Sequence, residues 1–394
     1  MGPCFVKWTW VCLVLSAGRT FVFAAPPGDL IGSLARAQYQ CSRSSACTEA
    51  VLDPIQPELA DSLRTALQST LDAILDFPSG RRLKCQTFTN PVIDSDFPDP
   101  SQPIVGEDGH LYSYATNSLG YNVQYATASQ GNIGSWRYAG KDALPDGNGF
   151  PSWADSNGGY TWAPAVMEIN GVFNMYYTAQ SNSLKTQCIG RAISSVAAGP
   201  FRDTSSGPIV CQPDLGGTID AQPFKDSDGT LYLLYKSNGD NGNTLHNIIW
   251  IQELSADGST LQGSATQLLI PDAAWENTVT EAPFLQICQG GKYCLFYSGY
   301  PYNSCNYATG VATASSVTGP YTKDPSNPVL AATGSVCGPG GSSLFVPDAE
   351  YSLIHTWNNV NLQYRALSVI GLTDDSASST GYYDTPTYGA STCQ

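Results

Sequence analysis

Three acidic residues and a tryptophan recur in this 394-residue chain at matched distances ahead of a strand-like run. Asp99 lies 15 residues before Tyr114, Trp162 lies 15 before Tyr177, Asp220 lies 15 before Tyr235, and Glu281 lies 16 before Tyr297. A proline follows each closely, in "DP", "WAP", "DAQP" and "EAP". An isolated loop carboxylate is ordinarily a solvated surface group. Carboxylates that return at one place in a repeat are carried to one place in space, and two chemistries are then open to them. They can cage a calcium ion, which takes several oxygen ligands. Alternatively, they can hydrolyse a glycosidic bond with inversion. In that scheme one carboxylate activates water and a carboxylic acid protonates the leaving oxygen, with the pair about 6.5–9.5 Å apart. A third acid nearby keeps the donor protonated by like-charge repulsion, and a tryptophan offers its face to a sugar ring. Three acids with one aromatic fit hydrolysis better than an oxygen cage. The scheme predicts a bell-shaped pH dependence on the acidic side of neutral, with Asp99 setting one limb and Glu281 the other.

The elements that must position these residues are five similar runs: "HLYSYAT" (110–116), "VFNMYYTA" (172–179), "TLYLLYKS" (230–237), "KYCLFYSG" (292–299) and "EYSLIHTW" (350–357). Aligned on Tyr114, Tyr177, Tyr235, Tyr297 and His355, they step by 63, 58, 62 and 58 residues, and a turn such as "GEDGH" or "DSDGT" precedes each. A period near 60 residues built from short strands means a radial or stacked repeat. Each unit holds about four strands. Five such units around an axis make an all-β, five-bladed β-propeller, which leaves few exposed sheet edges. Asp99, Asp220 and Glu281 then converge at one end of the axis with Trp162 beside them. Residues 26–86 differ. "PGDLIGSLARAQYQ" and "PELADSLRTALQSTLDAIL" carry apolar residues at helical spacing with little glycine, which predicts a short helical extension capping an 87–394 propeller.

Residues 1–25 join Lys7, an apolar run and "VFAAP", the pattern of a secretory signal; the run is broken at Gly18–Thr20 and is too short to span a bilayer. Removing them leaves ten cysteines, an even number that in a secreted chain reads as disulfides. Cys288 and Cys294 flank a hairpin-like "QGGKY", and Cys41–Cys47, Cys188–Cys211, Cys305–Cys337 and Cys85–Cys393 are the further expected pairs. With no C-x-x-C and three histidines, a zinc site is not expected. The net charge is −15 with no basic stripe, which argues against nucleic acid as a partner. A monomer acting on a neutral polyhydroxyl ligand is expected.

At these residues the sequence resembles glycoside hydrolase family 43 over about residues 88–375. "NPVIDSDFPDPS" (90–101) is similar to the family's opening segment, "YTWAPAVMEINGVFNMYYTA" (160–179) to its Trp-Ala-Pro blade, "GTIDAQPFKDSDGTLYLLYK" (217–236) to its third-blade segment, and "VTEAPFL" (279–285) to its fourth. The resemblance implies Asp99 as general base, Glu281 as general acid and Asp220 as the residue that tunes the acid. It places Trp162 at the pocket. Lys236 and His246 are expected to reach the channel and meet substrate; the alternative for both is a satisfied surface group. Asp94 and Asp96 compete with Asp99 and read as turn residues, as do Asp226 and Asp228. Many members carry Gly-x-Gly-His in the fifth blade, whose histidine helps to hold a central metal ion. Here the segment is "GPGGSS" (338–343), with Gly341 at the histidine's place. No cofactor is therefore expected to be required, and a structural Ca²⁺ stands as the alternative. The implied activity is a secreted inverting hydrolase of α-L-arabinofuranosyl linkages in plant cell-wall polysaccharide. The alternatives are a β-xylosidase, a glycan-binding propeller without activity, and a structural propeller plugged by Ca²⁺. Exo or endo action is expected to depend on whether loops such as 141–160 wall off the channel.

Overall fold

The five repeated runs become second strands of five antiparallel sheets. The computed structural model describes residues 14–16, 19–21, 88–147, 149–156, 160–239, 247–334, 336–344, 351–358, 361–373 and 385–387. The expected helices of 26–86, the Cys41–Cys47 and Cys85–Cys393 pairs and His246 lie outside these residues. The chain divides into two units, Met1–Arg81 and Arg82–Gln394. In the first, β1 (Val14–Ser16) pairs with β2 (Arg19–Phe21).

The second unit is a five-bladed β-propeller. Blade 1 is β3 (Ile104–Val105), β4 (His110–Ala115), β5 (Gln124–Ser129) and β6 (Arg137–Asp142). Blade 2 is β7 (Trp162–Ile169), β8 (Val172–Gln180) and β9 (Gln187–Ser194). Single bridges at Arg202 and Val210 extend blade 2. Blade 3 is β10 (Thr218–Lys225), β11 (Leu231–Ser237), β12 (Ile249–Leu254) and β13 (Leu261–Leu269). Blade 4 is β14 (Thr280–Ile287), β15 (Tyr293–Gly299), β16 (Ala308–Ala314) and β17 (Thr322–Lys323). Blade 5 is β18 (Cys337–Leu344), β19 (Tyr351–Trp357), β20 (Arg365–Thr373) and β21 (Thr385–Thr387).

Each blade is a meander in sequence order, as short turns dictate. The β10–β11 turn is one case: Gly229 takes φ +92°, and Asp228 Oδ1 accepts the Thr230 N–H. Middle strands are buried along almost their whole length because blades cover both of their faces; β8, β11 and β15 are examples. That is why they read as continuous apolar runs rather than alternating ones. Cys188–Cys211, Cys288–Cys294 and Cys305–Cys337 are bonded, as their positions in sequence suggested. The segment after β6 is built into the second blade: the Trp153 ring lies against Gly190 and its Nε1 donates to Asp203.

The circle closes through the first residues of the unit. Ile93 bridges Leu367 of β20, Phe97 N–H donates to Arg365 O at 2.7 Å, and the Asn90 amide exchanges two hydrogen bonds with the Val369 backbone. This segment pairs with the Arg365–Val369 half of β20, while β21 pairs with the Gly371–Thr373 half. Phe88, Ile93 and Phe97 share one core cluster with Leu111 of blade 1 and Leu353 and Val369 of blade 5.

Candidate active site

In blades 2 to 5 the register of the innermost strand against the second breaks for two residues, and the first of these has a left-handed backbone, as does Asp99 in the segment ahead of β3: Asp99 (φ 54°), Ala163 (φ 40°), Asp220 (φ 57°), Ala282 (φ 48°) and Gly341 (φ 61°). Four of the five are not glycine, a conformation that costs about 1–2 kcal/mol per residue. Pro100, Pro164 and Pro283 come next, where a missing N–H does no harm because the ladder is already broken. The five left-handed residues line one axial cavity of about 60 Å³. Asp99 and Asp220 project from this ring. Glu281 and Trp162 sit one residue earlier, paired with Ser298 and Thr178 of their second strands. The spacing in sequence had placed Glu281 and Trp162 level with the two aspartates; the structure makes them equivalents of each other and of Ile219 and Gly340.

A second ring holds the first. Thr116, Thr178, Lys236, Ser298 and His355 lie opposite the residue preceding each left-handed position. Four of them accept the left-handed N–H of the next blade. Thr116 Oγ1 accepts from Ala163 (2.9 Å), Thr178 Oγ1 from Asp220 (3.3 Å), Ser298 Oγ from Gly341 (3.1 Å) and His355 Nδ1 from Asp99 (3.1 Å). In the third blade the residue is Lys236, and there Asp220 Oδ2 accepts the Ala282 N–H at 2.8 Å.

The three acids converge with different surroundings. Burial would raise the Asp99 carboxyl. The Arg365 guanidinium at 2.6 Å, His355, and the Thr116 hydroxyl at 2.6 Å outweigh that and hold it well below the usual carboxylate range. Burial pushes Asp220 the other way, up to about 7; repulsion from Glu281 and Asp99 adds to this, and Lys236 opposes it. Glu281 is 14% exposed and its Oε2 meets Lys236 Nζ at 2.9 Å. Lys236 itself is buried, with its ammonium on Glu281 rather than at open surface. Trp162 is half-buried and edge-on to the exposed Tyr160, with ring centroids 6.1 Å apart.

Sequence reasoning missed Arg365, His355, Tyr302 and the capping hydroxyls. Tyr302 is 49% exposed and covers the Arg365 guanidinium at 4.9 Å. The signal available for the caps was a polar residue directly after the tyrosine in three middle strands, "YT", "YK" and "YS". Asp94 and Asp96 serve the ring closure: they accept from Tyr364 Oη and from Ser118 Oγ.

The residues present do not fit a metal held by a fifth-blade histidine. Gly341 has no ligating side chain, and a Cβ there would come within 3.0 Å of His355 Nδ1 and 3.6 Å of Asp99 Cα. His355 takes up that space, stacked on Tyr307 at 5.6 Å. Its Nδ1 is engaged with Asp99, 3.1 Å from the backbone N and 3.3 Å from Oδ1, and its Nε2 is buried without a hydrogen-bond partner. Among the described residues no cluster of three or more His, Cys, Asp or Glu is spaced to hold a metal ion.

The sequence profile of glycosyl hydrolases family 43 matches residues 88–367. A probable arabinan endo-1,5-α-L-arabinosidase A of Aspergillus fumigatus is 27% identical over 266 residues, 63% of this chain and 77% of the relative. An extracellular exo-α-(1→5)-L-arabinofuranosidase of Cellvibrio japonicus is 24% identical over 274 residues, 63% of this chain and 71% of the relative. The crystal structure of a thermostable family-43 glycoside hydrolase superposes with a TM-score of 0.65 at 27% identity, over 78% of this chain and 98% of that one.

Proposed function

This chain belongs to glycosyl hydrolases family 43, and from that premise we propose that it is a secreted inverting glycosidase that cleaves α-L-arabinofuranosyl linkages in arabinan-type plant cell-wall polysaccharide. The observation that carries the reading is one backbone position used twice. Asp99 and Asp220 occupy equivalent left-handed sites on one axial mouth, with opposite proton affinities and Glu281 between blades 3 and 5 beside them. Asp99, held ionised, takes a proton from water whose oxygen attacks the anomeric carbon. Glu281 gives a proton to the glycosidic oxygen as the C–O bond breaks. Asp220 tunes that donor by its nearness. Trp162 with Tyr160 forms an aromatic wall for the sugar. The arabinan-directed names of the fungal and bacterial relatives support the sugar, and three disulfides together with an extracellular relative support secretion.

The test is hydrolysis of arabino-oligosaccharide by wild type and Glu281→Gln, with NMR of the first-formed anomer. Inverted product and loss of turnover in the variant are expected. Turnover that persists in Glu281→Gln, or a retained anomer, sinks the assignment. Nitrophenyl α-L-arabinofuranoside is expected to be cleaved faster than the β-xyloside; the reverse order moves the enzyme to xylosidase.

A further inference from the structure

Four blades close the inner ring with an acceptor, and the third does not. Thr116, Thr178, Ser298 and His355 each accept the left-handed N–H of the next blade. A hydroxyl at 236 would serve the fold equally well, yet the residue is lysine, which has three donors and no acceptor. The Ala282 N–H is consequently left to the Asp220 carboxylate. Lys236 is 3% exposed, and a buried ammonium is costly unless paired. The neighbouring blades show that the propeller does not require one. What the lysine touches is Glu281, at 2.9 Å.

We infer that Lys236 is a positioning residue for the hydrolysis proposed above, orienting the Glu281 carboxylate and keeping the Asp220–Glu281 pair acidic enough to give up its proton to a leaving oxygen. The inference rests on that reading of Glu281. Its physical need is plain. Two part-buried carboxylates side by side, with Asp99 beyond them, repel one another, and a donor that binds its proton too tightly transfers it poorly. A fixed cation against the pair offsets this. The direction for Asp220 agrees, since Lys236 opposes the upward push of burial and of Glu281. The other charged or titratable groups facing the pair are Asp99 from the closing segment, Arg365 and His355 from blade 5, and Tyr307 from the loop after β15.

The experiment is the pH dependence of kcat/KM for Lys236→Thr, Lys236→Met and Lys236→Arg, on arabino-oligosaccharide and on an aryl arabinofuranoside whose leaving group needs little protonation. Lys236→Thr gives blade 3 the residue of blades 1 and 2, so it is expected to fold. Its alkaline limb is expected to move up by about one pH unit. Its kcat on the oligosaccharide is expected to fall at least about tenfold, with a smaller loss on the aryl substrate. Lys236→Met is expected to behave alike, which guards against a folding defect peculiar to one variant, and Lys236→Arg to keep the limb in place. An unmoved limb with equal losses on both substrates overturns the inference, and does so while Glu281→Gln remains inactive and the proposed function stands. An active Glu281→Gln removes the proposed function itself.

Discussion

Asp99 and Asp220 share a backbone conformation and a place in the repeat, so their difference comes from what faces them. Asp99 looks at Arg365 and His355 of blade 5; Asp220 looks at Glu281. This changes the pH dependence expected from sequence. Asp99 stays ionised far below the working range, so the acidic fall assigned to it should be absent, leaving a plateau down to the onset of acid unfolding. The alkaline fall is expected where Asp220, raised to about 7, loses its proton beside Glu281. Measuring kcat/KM from pH 3.5 to 9 checks both limbs, and an acid limb between pH 4.5 and 6 contradicts the account of Asp99. The same shift makes a stability claim. Asp220 is raised from the ordinary carboxyl value of 3.8 to about 7. Its contribution is therefore fully present below the unfolded value near 4 and is lost as pH rises to about 7. Asp220→Asn, which cannot ionise, should match wild type below pH 4 and melt several degrees above it at pH 8, at roughly 2–4 °C per kcal/mol, while losing activity. Equal melting points at pH 8 would show that the ionised carboxylate is not strained in its site.

At the scale of elements, the strands and their period were legible because each second strand is buried on both faces and so reads as an apolar run after a turn. The register at the axis was not. The distance from the left-handed residue to the capping residue varies with the turn between them, so alignment on tyrosines slips by one in places. Tyr114 reaches Ala197 O of blade 2 as Tyr176 reaches Gly258 O of blade 3, which makes Tyr176, not Tyr177, its counterpart. Between blades 3 and 4 the tyrosines do not slip: 15 residues before Tyr297 is Ala282, the true counterpart of Asp220, and Glu281 stands at 16. A two-residue bulge is a backbone event that residue types signal only through the proline after it. The cap ring can be tested at Thr116, whose hydroxyl donates to Asp99 and accepts from Ala163. Thr116→Val keeps the shape and removes both bonds, so a loss of about 1–3 kcal/mol is expected in denaturant unfolding, with Thr116→Ser recovering most of it. Because Gly341 and His355 leave no ligand set at the fifth-blade position, dialysis against a chelator is expected to change neither Tm nor kcat; a fall in either that Ca²⁺ restores would show that the axis holds an ion after all.

For the whole molecule, closing the circle and placing Asp99 are one event. The segment that completes blade 5 runs from Asn90 to Phe97, and two residues later the chain reaches Asp99. Phe97 N–H holds Arg365 O, Asp96 Oδ1 accepts the Arg365 N–H, and the Arg365 side chain then reaches Asp99. This pairing spans some 270 positions in the chain, so local pattern could not disclose it, although Val92, Ile93 and Phe97 were visible as apolar residues. It follows that damage at the closure should reach the chemistry, while equal damage elsewhere in the same cluster should not. Phe97 is fully buried there, and so is Leu111 of β4, which makes no contact with the Arg365 backbone in the hydrogen-bond pattern. Phe97→Ala and Leu111→Ala should each cost about 2–5 kcal/mol of stability. Assayed well below their melting points, Phe97→Ala is expected to lose on the order of tenfold or more in kcat/KM, since small misplacements of reacting groups are costly, and Leu111→Ala is expected to stay close to wild type. Equal activity in the two variants at matched stability would mean that the Arg365–Asp99 pair holds its geometry without the seam, and that closure serves the fold alone.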